Sequence, residues 1–188
     1  MKFKLDAKVL LTEIITIVIG ILLALAANEW NNQRIADNKA DMTLHMVTEE
    51  VGSNFAVLQR IHAQNQQVLD SIANSDSEET TQFLPGIQIR DTAWQTLLSS
   101  GIAENVEIGL LQALHDHYAV LNMYKQLSYQ TLNTILSTQA LVMGMTKNVE
   151  QAKSNDIFED NIKLLVMVES ALLTNTQSTL DSLKQFSH

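Results

Sequence analysis

The chain has 188 residues, with 21 acidic side chains against 12 basic ones, a net charge of −9 and no cysteine. That length fits one domain or two small ones. The missing cysteines exclude disulfide frameworks and cysteine-ligated metals, and the acidic balance argues against nucleic acid, whose phosphates select clustered basic side chains. A single Pro and six Gly leave few breaks for long helices and too few turns for a β sandwich.

Residues 1–8 carry Lys2, Lys4 and Lys8 and read as a short cytoplasmic tail. Residues 9–27 are apolar except for Glu13, Thr12 and Thr16. As a helix rising ~1.5 Å per residue they span about 28 Å, close to a hydrocarbon core of roughly 30 Å. A cleavable export signal is the competing reading, because Ala24-Leu25-Ala26 imitates a cleavage site. The apolar run exceeds the length of an ordinary signal core and the helical pattern continues past the supposed cut, which favours a retained anchor. Only Arg34 and Lys39 follow the span closely, so the positive-inside rule places the N-terminus in the cytoplasm and residues 28–188 outside.

Glu13 is the most unusual residue, since an ionised carboxylate in hydrocarbon costs several kcal/mol unless paired, hydrated or protonated. Glu13, Thr16, Gly20, Ala24 and Ala27 form a polar or small stripe, while the other faces carry Ile, Leu and Val. Small residues let helices approach and polar ones bond across the contact. The stripe therefore reads as a helix-contact face. The plainer alternative is a carboxyl that snorkels to the interface. Trp30 is placed as an interfacial anchor.

Beyond the span, Leu44, Val47, Val51, Asn54, Leu58, Ile61, Asn65, Val68 and Ile72 recur at alternating steps of three and four. This is a heptad core with two amides that fix register at a cost in stability. Phe55, His62 and Leu69 flank it and widen the stripe, as in a bundle helix. Residues 74–81 are polar and acidic and read as a loop, Phe83 to Gly86 as a turn, and Ile87-Gln88-Ile89 as a short extended piece. Asp91 is the expected N-cap of a short helix closed by Gly101, with Trp94, Leu97 and Leu98 inward. Asn105 is the expected cap of a helix from Glu107 to about Lys147, carrying Leu111, Leu114, Tyr118, Leu121, Leu132, Ile135 and Val142 on one side. Asn155 or Asp156 would cap the last helix, with Leu165, Val168, Leu172 and Phe186 inward. The fold class is all-α: a transmembrane helix continuing into a long helix, with an antiparallel helical bundle.

Glu13-Ile14, Val18-Ile19-Gly20-Ile21-Leu22, Ala24-Leu25, Asn28 and Trp30-Asn31 resemble the N-terminal signature of a family of uncharacterised bacterial single-pass membrane proteins. Trp94 to Gly101, then Leu110-Leu111-Gln112-Ala113-Leu114 and Tyr118, resemble a second patch of that family. The resemblance covers residues 7–125. Thr12 and Thr16 depart from it, standing where the family is apolar. It implies a bacterial inner membrane, a periplasmic C-terminal domain and a recurring Glu, with no activity to carry over.

Chemistry is sparse. His115 and His117 are two apart on a helix and point about 200° from one another, so a surface reading is preferred to a metal site. His45 and His62 lie on or beside the heptad face, as core-edge histidines or pH-sensitive contacts. The adjacent acids Glu49-Glu50, Glu78-Glu79 and Glu159-Asp160 read as solvated, and Met123, Met143, Met145 and Met167 as core fillers. No nucleophile, phosphate-loop or metalloprotease motif is present. The expectation is a non-enzymatic membrane protein with no metal or cofactor, partnered by the lipid bilayer and by a second copy or another membrane protein. An accessory subunit of a proton-driven complex using Glu13 and a ligand-sensing bundle are the alternatives.

Overall fold

The structure, a computed structural model, describes residues 7–73, 88–144 and 150–186. They form four α-helices, α1 Ala7–Ala73, α2 Thr92–Ser99, α3 Ile108–Gly144 and α4 Glu150–Phe186, with a 3-10 turn at Ile102–Asn105 and no strand among the described residues. The fold is all-α, and the long N-terminal helix is apolar at its start. The loop and turn expected over 74–86, with Ile87, lie outside the described residues. Ile89 is non-helical and buried.

α1 runs unbroken for 67 residues. Its described side chains from Leu10 to Ile35 are exposed without exception, and this part is long and apolar enough to cross a membrane. Ala40 is the first buried residue, and from there the helix packs. α4 lies against both α1 and α3. Contacts between His62 and Glu169, and between Tyr124 and Glu169, sit near the middle of α3 and α4 and toward the C-terminal end of α1. The pairing of His117 with Asn175 fixes α4 as antiparallel to α3. α1 and α3 run the same way, because Glu50 meets Tyr118 at one end and Val68 meets the cluster holding Ile135 at the other. α2 packs on α1 ahead of α3.

Heptad spacing accounts for the core on all three long helices. On α1 the buried positions are Val47, Val51, Asn54, Leu58, Ile61, Asn65 and Val68, while Leu44 and Ile72 at the two ends are half-buried. α3 buries Leu110, Leu114, His117, Leu121, Tyr124, Ser128, Thr131 and Ile135, and α4 buries Ile162, Leu165, Glu169, Leu172, Thr176, Thr179 and Leu183, again at steps of three and four. Each fully buried aliphatic side chain contributes about 1.5–3 kcal/mol of transfer free energy. Thr43, Thr176 and Thr179 are tolerated inside because each hydroxyl donates to the carbonyl four residues back, on Lys39, Leu172 and Asn175.

The helix ends differ from the sequence expectation in three places. Asp91 stands at the N-cap of α2 but makes no side-chain cap bond; its carboxylate pairs with Lys125 Nζ at 3.2 Å. Asn105 ends the 3-10 turn, and Glu107 caps α3 by accepting from Leu110 N–H at 2.8 Å. Asn155 and Asp156 lie inside α4, which has already begun by Glu150. Gly101 closes α2 in the left-handed conformation, φ 71°, that glycine adopts without a Cβ clash.

Candidate functional site

Two polar layers interrupt the apolar core, about 17 Å apart along α1 at ~1.5 Å per residue. The first holds α2 in place. Glu50 Oε2 accepts from Ala93 N–H at 2.9 Å, and Oε1 accepts from Trp94 N–H at 3.4 Å and Tyr118 Oη at 2.7 Å. These are orphan donors of the first turn of α2, so a carboxylate from α1 caps a helix more than 40 residues away in sequence. Asn54 clasps the backbone of Arg90, donating to its carbonyl at 2.7 Å and accepting from its N–H at 2.9 Å. The Trp94 indole stacks on the Tyr118 ring, with centroids 5.0 Å apart and planes 4° from parallel. Burial, then the bond to Glu50, pushes the Tyr118 phenol up, so it stays a neutral donor. Glu50 is thus bound into the bundle rather than solvated beside Glu49, whose own contact is an exposed pairing with His45 at 3.8 Å.

The second layer is built around Glu169, whose side chain is 0% exposed. Its Oε1 accepts from Asn65 Nδ2 on α1 and from Tyr124 Oη on α3, both at 2.8 Å. Its Oε2 faces His62 Nδ1 at 3.4 Å, and neither atom has another hydrogen-bond partner. One carboxyl on α4 therefore ties three helices together. Burial pushes it above the ordinary carboxylate range. The bonds from Tyr124 and Asn65, and the facing His62, oppose that rise. Tyr124 is pushed up by burial and by Glu169, and remains neutral. On the same face of α3, Ser128 Oγ and Thr131 Oγ1 are buried without partners.

His117 is buried, against the surface expectation, because it falls on the heptad between Leu114 and Leu121. Its Nδ1 meets Asn175 Oδ1 at 2.9 Å, which places the proton on Nδ1. Burial holds it below the ordinary imidazole range, the bond to Asn175 opposing, so it is neutral. His115 and Asp116 stay outside. Met123 and Met167 are 58% and 63% exposed and fill no core; Met143 and Met145 lie outside the described side chains. Among the described residues no three His, Asp or Glu gather as a metal site.

The membrane-face residues Glu13, Thr16, Gly20, Ala24 and Ala27 are all exposed. Thr12 and Thr16 donate their hydroxyls to the carbonyls of Lys8 and Thr12, at 2.9 Å each, so the hydroxyl proton of Thr16 is used within the helix. Trp30 is exposed, and the Arg34 guanidinium lies 6.0 Å from the centre of its ring.

Spacing alone pointed to Asn54, Asn65 and His62, and the structure gives each a specific partner. Glu169, Tyr124, Glu50 and the phenol of Tyr118 were missed. For Glu169 a signal existed, since it lies at heptad steps from Leu165 and Leu172. Comparison of the chain with family models, curated proteins and solved structures finds no match.

Proposed function

We propose that this is a single-pass inner-membrane protein whose N-terminus is cytoplasmic and whose helical bundle is periplasmic, working by association rather than catalysis. It belongs on this reading with the bacterial membrane family that its N-terminal residues resemble. The observation that carries the proposal is the first part of α1. Leu10 to Ile35 finds no cover among the described residues, and Glu13, the one carboxylate of its apolar run 9–27, shares a stripe with Gly20 and Ala24. An apolar helix exposed on every side is supported by lipid, and a carboxyl within it is supported by a second helix. The occupant of the Glu13–Ala27 face is a second copy or another membrane protein.

Crosslinking and detergent sizing of the wild type and Glu13→Leu test the self-association arm. The wild type is expected to form an oligomer that Glu13→Leu weakens. A monomer in both cases ends that arm, and an oligomer unchanged by the substitution moves the contact to the bundle.

A further inference from the structure

The seam between α1 and α4 opens as a groove lined in part by His62, Gln66, Lys163 and Ser170. His62 is 26% exposed on this groove, and behind it Glu169 is fully enclosed. We propose that His62 and Glu169 form a proton-operated catch between α1 and α4, closed while one proton is held between imidazole and carboxyl and loosened when that proton is lost.

The geometry sets the charge balance. With one proton the pair is neutral overall, whether written as imidazolium and carboxylate or as imidazole and carboxylic acid. With none, a carboxylate is left inside the bundle facing a neutral ring. The other elements supply no cation. From α1, Asn65 offers only a neutral amide, and from α3 Tyr124 offers a neutral phenol. On α4 itself Lys163 reaches the groove, but its ammonium lies 2.6 Å from Glu159. His117 on α3 is occupied by Asn175. Among the described residues no lysine or arginine pairs with Glu169.

A glutamine here would accept from Asn65 and Tyr124 through its oxygen and donate to His62 Nδ1 through its amide. It would satisfy the same groups at no cost in buried charge. What the carboxyl alone adds is a proton that comes and goes. Its folded-state affinity for that proton is raised by burial. Its contribution to stability is therefore complete below the ordinary carboxylate range and is lost as pH rises through the raised value. The proton sits in the contact between the two side chains, so the transition reports on that contact.

The chain has no native cysteine, so a nitroxide pair at Gln66→Cys and Ser170→Cys, both exposed on the groove, reports on this seam alone. In the full chain in lipid nanodiscs, the distance distribution is expected to be narrow at about pH 5.5 and to broaden by about pH 9. The melting midpoint should fall by about 3–5 °C over that range. Glu169→Gln, which keeps every hydrogen bond, is expected to stay narrow at both pH values. His62→Gln should move the transition, because the carboxyl then no longer faces an imidazole. A distribution that ignores pH, or the same broadening in Glu169→Gln, overturns the proposal. A transition unmoved by His62→Gln overturns the part assigned to the imidazole.

Discussion

Glu50 and Glu169 each accept a tyrosine hydroxyl, at 2.7 Å and 2.8 Å, and each joins helices far apart in sequence. Their remaining bonds separate them. Glu50 takes two backbone N–H groups from the first turn of α2 and sits half-buried at the bundle surface. Glu169 takes one side-chain amide, keeps an oxygen with no hydrogen-bond donor, and is sealed from solvent. A carboxylate at a helix N-terminus is stabilised by the helix dipole and by donors that would otherwise be orphaned. A carboxylate in the middle of a bundle must be offset by whatever side chains surround it. The same residue type thus serves as a fastener in one layer and as a titratable strain point in the other.

The contrast can be broken at its strongest point first. Glu50→Ala removes the acceptor for three donors and frees the start of α2, so a loss of about 3 kcal/mol is expected in a urea titration of the detergent-solubilised chain. A loss below about 1 kcal/mol would mean that water caps α2 equally well. The tyrosines sharpen the comparison. Tyr118→Phe leaves Glu50 with its backbone donors and should cost about 1 kcal/mol, whereas Tyr124→Phe leaves Glu169 Oε1 with Asn65 alone and should cost about 2 kcal/mol. Equal losses in the paired titrations would erase the difference between the layers. The smallest effect belongs to Asp91→Ala. Asp91 caps nothing and holds only a partly exposed pair with Lys125, so a loss within about 0.5 kcal/mol is expected. A larger loss would restore Asp91 to the capping role its position suggests.

How much of this could be read from residues alone follows from the range of each interaction. Periodicity is local, so the heptad of α1 from Val47 to Val68 was legible, as was Gly101 at the close of α2. Asn54 and Asn65 stood out because an amide inside an aliphatic series must have a partner. The partners themselves were not legible. Asn54 binds Arg90 backbone 36 residues on, and Asn65 binds Glu169 across 104 residues. Nothing in the spacing distinguishes these from any other pairing. His117 and Glu169 went unread because a polar residue on a heptad position looks like a break in the pattern unless neighbouring steps are followed through it. Met123 and Met167 failed the opposite way: their apolar character suggested burial, but their positions fall off the seam.

The unbroken course of α1 has one more consequence, concerning rotation. Gly20 and Val47 are 27 residues apart, as are Ala24 and Val51. At ~3.6 residues per turn that is about 7.5 turns, so the small-residue stripe and the packed face of the helix look in opposite directions. Residues 28–39, which join the two, are exposed except for the half-buried Ala36. One residue added there would swing the bundle about 100° around the axis of α1, and seven would return it to within about 20° while lifting it roughly 10 Å. The azimuth of the bundle relative to the apolar start of α1 is therefore encoded in the length of a twelve-residue stem, to the single residue.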